Sequence, residues 1–136
     1  MKKTLILGAS TNPDRYSYKA ANMLVKYGHD IVPIGLKAGE LAGETILTGQ
    51  PIFEGIDTVT LYLGPNHQQA IYKYVLSLNP KRVIFNPGTE NDEFMDLLEE
   101  KGVEVAEACT LVLLSTHQYW FWKYNFIFTL IIQFPK

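Results

Sequence analysis

Short apolar runs alternate with stretches of helical period through most of this chain. Strand-length runs fall at 4–8 (TLILG), 30–35 (DIVPIG), 58–64 (TVTLYLG), 82–86 (RVIFN) and 103–108 (VEVAEA). Strands separated by helices predict a parallel α/β sheet of about five strands. Three of the runs are almost unbroken in apolar residues, as expected of strands covered by helices on both faces. The first helix is predicted from about Ser17, with Ala20, Ala21, Leu24 and Tyr27 turned inward and a stop at Gly28. A second, from about Asn66, sets Ile71, Tyr74, Val75 and Leu78 on one face and ends before Pro80. The third opens at TENDEF, with Asn91 near the cap and Asp92 and Glu93 in its first turn, and buries Phe94, Leu97 and Leu98 before Gly102. Residues 36–57 are glycine-rich and aperiodic. They predict a loop, a short strand near 45–47 and an irregular return.

The last twenty residues depart from this rhythm. Across 117–136 lie eight of the chain's 17 aromatic residues, both tryptophans and no acid. Every even position from 120 to 134 is apolar, while Lys123, Asn125, Thr129 and Gln133 fall on odd ones. Period-two alternation in aromatic and β-branched residues predicts an extra strand, buried in its own domain or against another copy. A membrane-spanning helix is not expected, since only 12 uncharged residues separate Lys123 from Lys136, against about 20 needed. The chain therefore reads as a domain over 1–119 and an aromatic C-terminal extension over 120–136.

Composition narrows the function little. At 136 residues, 47% hydrophobic and 19% charged, the chain suits one domain with a substantial core. A net charge of −2 gives no footing for a nucleic-acid surface. Cys109 is the sole cysteine, so no internal disulfide forms. The apolar run after Lys2 and Lys3 is shorter than the roughly 7–15 residues of a signal core. A cytoplasmic protein is expected.

The informative loop is Gly8-Ala9-Ser10-Thr11-Asn12-Pro13, between the first strand and the first helix. Ligands of such folds bind outside the carboxyl ends of the strands, with phosphate at the helix amino terminus. Gly8 permits a sharp turn and close approach. Ser10, Thr11 and Asn12 bring side-chain donors, Pro13 stiffens the loop, and Arg15 offers a fork to phosphate, with Lys19 one turn on. An ordinary strand-to-helix turn capped by Ser or Asn is the alternative. NAD and NADP are not expected to bind specifically. Ser10 and Pro13 stand where the dinucleotide fingerprint needs glycines, and no acid ends the second strand to hold a ribose. That strand ends instead in Pro33, Ile34 and Gly35, with Lys37 beyond, an apolar shelf beside a cation. The shelf suits adenine next to a phosphorylated ribose.

Taken together, LGASTNPDRYSYKAANML, HDIVPIG, LYLGP, VIFNPGTEN and VEVAEACTLVLLST resemble the small stand-alone CoA-binding-domain proteins. These are relatives of the CoA-binding N-terminal domain of the succinyl-CoA synthetase α subunit. The resemblance covers 3 to about 119. It implies a Rossmann-like domain holding CoA across the strand tips, with Gly8, Ala9, Ser10, Asn12 and Arg15 at the phosphates. It further implies Pro33 and Ile34 flanking the adenine, Lys37 near the ribose phosphate, and Leu63, Gly64, Pro65, Asn86 and Gly88 along the pantetheine. The synthetase's catalytic histidine belongs to a second domain that has no counterpart here, and the segment beyond Tyr119 is foreign to the family pattern.

Other constellations read more simply. His29, His67 and His117 are too scattered for a metal site with Cys109 and are expected at the surface or at caps. Cys109 could face the thiol end of CoA, although a small buried hydrophobe is the simpler reading. Glu104 and Glu107 read as strand-end surface charge. No triad or Cys–His arrangement is evident. The expected function is binding of CoA or an acyl-CoA without catalysis of its own. Two alternatives are a partner-dependent component of a CoA-linked transferase or ligase, and an interaction protein with a vestigial nucleotide site.

Overall fold

A computed structural model of the chain describes residues 2–120; the extra strand expected from the aromatic tail lies outside them, apart from Trp120. The elements, in order, are β1 (Thr4–Leu7), α1 (Tyr16–Lys26), β2 (Ile31–Ile34), β3 (Gly39–Leu41), β4 (Glu44–Ile46), β5 (Thr58–Leu61), α2 (Tyr72–Leu78), β6 (Arg82–Phe85), α3 (Asp92–Glu100), β7 (Glu104–Glu107) and α4 (Thr110–Ser115). Five strands form one parallel sheet in the order β2-β1-β5-β6-β7. This is a Rossmann-like α/β fold.

Register and the two-residue pleat divide the side chains between two layers. The row Val32, Leu5, Val59, Val83 and Val105 faces Tyr74, Val75, Phe94 and Leu98 of α2 and α3. The row containing Ile6, Ile84 and Ala106 faces Ala21, Leu24, Leu113 and Leu114 of α1 and α4. Both α1 and α3 end in Schellman hydrogen bonds: Gly28 N to Val25 O with His29 N to Leu24 O, and Gly102 N to Glu99 O with Val103 N to Leu98 O. The Asn91 side chain caps α3 by accepting from Phe94 N. Among the described residues no helix is long and apolar enough to cross a membrane.

Several expectations need correction. Tyr27 is half-buried and lies edge-on to His117, and Met95 rather than Leu97 completes the buried face of α3. The predicted helix from Asn66 is two 3-10 turns, Pro65–His67 and Gln69–Ile71, followed by the short α2. Residues 36–57 contain the antiparallel β3–β4 hairpin. Its turn residues Ala42 and Gly43 both have positive φ, 52° and 85°. An Ala-Gly turn lacks the Asn-Gly or Asp-Gly signature by which such hairpins are read. Helix α4, only 6 residues long, is too short for its periodicity to show.

His29 is not at the surface. It is 3% exposed, and its ring meets those of Tyr119 and Trp120 at 4.8 and 4.5 Å. Nδ1 accepts from Lys2 N, so a proton there would set two donors against each other. Burial lowers the His29 pKa below 6.5, and the charges of Lys2 and Arg82 lower it further. The unfolded chain thus takes up a proton near pH 6.5 that the folded chain resists. Stability should fall as pH drops from about 6.5 towards 5 and be flat from 7 to 8 as far as this group is concerned. Urea unfolding across pH 5–8 checks this against His29→Asn, whose pH slope should be shallower; identical slopes would refute the assignment.

Candidate functional site

The loops after β1, β2, β5, β6 and β7 gather along the carboxyl edge of the sheet. The chain steps from β1 outward to β2 and then returns to β5 on the other side of β1. The carboxyl ends of β1 and β5 therefore form the topological switch point, where open α/β sheets take ligands. Gly8 sits there with φ 95°, and a Cβ on it would lie 3.0 Å from the Tyr62 carbonyl, so both conformation and space call for glycine. The N–H groups of Gly8 and Ala9 both donate to Ile34 O, tying the loop to the tip of β2.

The loop is shaped internally. Ser10 Oγ accepts from Asn12 N, and Asn12 Oδ1 accepts from Asp14 N, each at 3.0 Å, which leaves the Ser10 hydroxyl proton and the Asn12 amide hydrogens available. Among the described residues the Ser10 and Thr11 N–H groups find no acceptor. Helix α1 then starts with Arg15 at the N-cap, no side-chain cap and no acid in its first turn. Its unpaired N–H groups and positive dipole end suit an anion. Arg15 is exposed, and Lys19 lies over the Tyr16 ring at 5.3 Å. Gly35 and Gly39 wall the loop from the other side. A Cβ on Gly35 would collide with Ala9 O, and one on Gly39 would lie 2.7 Å from Thr11 Cγ2.

The remaining positions sort unevenly. Pro33 and Ile34 lie within β2 and are buried, Ile34 in the α2–α3 core. The accessible apolar group at this tip is Leu36, 95% exposed, with exposed Lys37 beside it. Leu63 and Gly64 are half-buried, and Pro65 and Gly88 are exposed. Asn86 is buried and its amide is fully engaged. It donates to Thr60 Oγ1 and Leu61 O, and accepts from Thr110 N at the start of α4. Thr60 and Thr110 hydroxyls are paired at 2.8 Å, and the buried Tyr62 phenol beside them is pushed up in pKa by its burial. Asn86 thus joins β5, β6 and α4 from below the site. Cys109, expected to be buried, is half-exposed and stands at the N-cap of α4.

Gln68 escaped the sequence reading, although it is fully buried between the loops after β5 and β6. Its one signal, a polar residue among helical apolar positions, is indistinguishable from a solvated face.

The sheet order and the uncapped helix amino terminus at its switch point place the chain in the Rossmann-like α/β class. Within that class, the CoA binding domain pattern matches residues 2–115, and the chain belongs to that family. YneT of Bacillus subtilis is 24% identical over 118 residues, covering 80% of this chain and 87% of its own. A solved structure of an uncharacterized protein shares 54% identity, with a TM-score of 0.86 over 88% of this chain and 98% of its own. A Thermus thermophilus structure, cell-free ID.343, has the same fold at 24% identity, with a TM-score of 0.77 over 87% of this chain and 90% of its own.

Proposed function

We propose that this protein binds CoA or an acyl-CoA across the carboxyl edge of its sheet, with no catalytic step of its own. The observation that carries the reading is the amino terminus of α1. It is uncapped, free of acid in its first turn and preceded by Arg15, and it opens beside Gly8 at the switch point. Pyrophosphate lies along residues 8–15, with Gly8, Ala9 and Ser10 offering close backbone approach and Asn12 and Arg15 offering donors. Adenine rests on the tip of β2, where Pro33 and Ile34 form the floor and Leu36 the exposed apolar surface. Lys37 stands near the 3′-phosphate. Pantetheine runs between Leu63, Gly64 and Pro65 on one side and Gly88 on the other, with Asn86 bracing the strands beneath. β2 to β6 are three strand spacings apart, about 14 Å, room for a nucleotide followed by an extended arm.

A thermal melt tests this. CoA at 100 times its Kd should stabilise the fold by roughly 2.7 kcal/mol, a rise of about 10 °C for a domain of this size. Arg15→Ala should weaken binding by about 1.5–3 kcal/mol. Lys37→Ala should weaken CoA more than 3′-dephospho-CoA. No shift for wild type at millimolar CoA would overturn the reading.

A further inference from the structure

The carboxyl edge has two halves that different parts of the chain build. The loops after β1 and β2 are held by Gly8, Gly35 and Gly39. Beyond Tyr62, whose carbonyl packs against Gly8, the loops after β5 and β6 are joined by two side chains, Asn86 at their base and Gln68 further out. Gln68 Nε2 donates to Leu63 O at 2.9 Å and to Thr89 O at 2.7 Å. Its Oε1 accepts from Asn91 Nδ2 at 3.0 Å, and the same amide also donates to Tyr72 Oη at 2.8 Å. All the hydrogen-bonding capacity that a buried primary amide needs is thereby met, and its plane is set from both ends.

The two carbonyls it grips, Leu63 O and Thr89 O, each adjoin a lining residue, Gly64 and Gly88. Both loops are irregular backbone, with no strand pairing beyond Leu61 and Phe85. Asn86 fixes the base of the two loops through Thr60 Oγ1 and Leu61 O. Among the described residues the Gln68 bridge is the hydrogen-bonded link between their outer parts, 63–65 and 88–89. With it, the cleft between 63–65 and 86–89 has a defined width before any ligand arrives, and that lowers the ordering cost of binding.

We infer that Gln68 is a positioning residue that sets the width of the pantetheine cleft and so governs affinity for the arm of CoA, not for its nucleotide. The inference rests on the CoA reading above. Gln68 touches no ligand in this arrangement; it acts through the backbone at Leu63 and Thr89. Its influence should stop at the β5–β6 half, because among the described residues none of its hydrogen bonds reaches 8–15 or 35–38.

Calorimetric titration of the full chain with CoA and with adenosine 3′,5′-bisphosphate, which lacks the pantetheine arm, separates the two halves. Gln68→Met keeps the volume and removes both donated bonds. It should weaken CoA by roughly tenfold and leave the bisphosphate within about twofold. Asn91→Asp keeps the helix cap and deletes the donor to Oε1, so it should fold even if Gln68→Met does not. It should weaken CoA a few-fold, again with the bisphosphate unchanged. Equal losses for both ligands, or no loss of CoA affinity in the variant that folds, would overturn the inference while leaving CoA binding intact. Wild type that binds neither ligand would bring down the CoA reading itself, and the inference with it.

Discussion

Arg82→Ala is expected to cost about 3–5 kcal/mol of folding stability, a fall of about 10–20 °C in Tm. Arg82 opens β6 on the α1–α4 face and is only 3% exposed. Its Nε donates to Thr58 Oγ1, its Nη1 donates to Tyr119 O, and its guanidinium lies 4.4 Å over the Tyr119 ring. The Tyr119 hydroxyl in turn pairs with Thr4 Oγ1 at 2.6 Å, and burial raises its pKa. One arginine thus ties β5, β6 and, through Tyr119, β1 to the segment that passes beneath the sheet after α4. Alanine would leave a void and an orphaned carbonyl under three strands. Two effects oppose each other here. Among the described residues no carboxylate lies within ion-pair distance of Arg82, and Nη2 has no partner, so the buried charge carries a desolvation cost that substitution relieves. Arg82→Met, which keeps the stem and drops the charge, isolates that cost and should be destabilised by only about 1–2 kcal/mol. Urea unfolding at pH 7.5 ranks the three proteins. An alanine variant within about 1 kcal/mol of wild type would mean that the lock does not hold the fold.

Gly35→Ala should nearly abolish CoA binding and cost about 1–3 kcal/mol of stability. The new methyl would collide with Ala9 O. That carbonyl sits in the stretch whose N–H groups, Gly8 and Ala9, converge on Ile34 O. Backbone on both sides of the collision is fixed by strand pairing, so the loop over 8–15 must swing away from the start of α1. Gly43→Ala is the control. It adds strain at φ 85° in open space, costs about 1–2 kcal/mol, and lies in the hairpin turn, so CoA affinity should hold. Titration of both variants decides the matter: a Gly35→Ala protein that binds CoA like wild type would show that the loop's position is irrelevant to the ligand.

The sequence by itself determined the five parallel strands and the helices that separate them. Those features depend on signals within a few residues of one another: apolar runs of strand length, Gly28 and Gly102 at helix ends, the Asn91 cap, and a polar glycine-led loop before α1. Pairings between distant residues were decided only by the tertiary structure. The buried bridge from Gln68 to Thr89 spans 21 positions, Arg82 to Tyr119 spans 37, and Thr4 to Tyr119 spans 115. No periodicity records such a pair, so Gln68 goes unremarked and His29 is expected at the surface or at a cap. The burial of Pro33 and Ile34 has the same origin. Their apolar character is visible in the chain, but whether it faces a ligand or the protein's own helices depends on α2, α3 and the hairpin packing around β2. A polar or apolar side chain announces what it can do; only the partners that the fold brings to it decide which of those things it does.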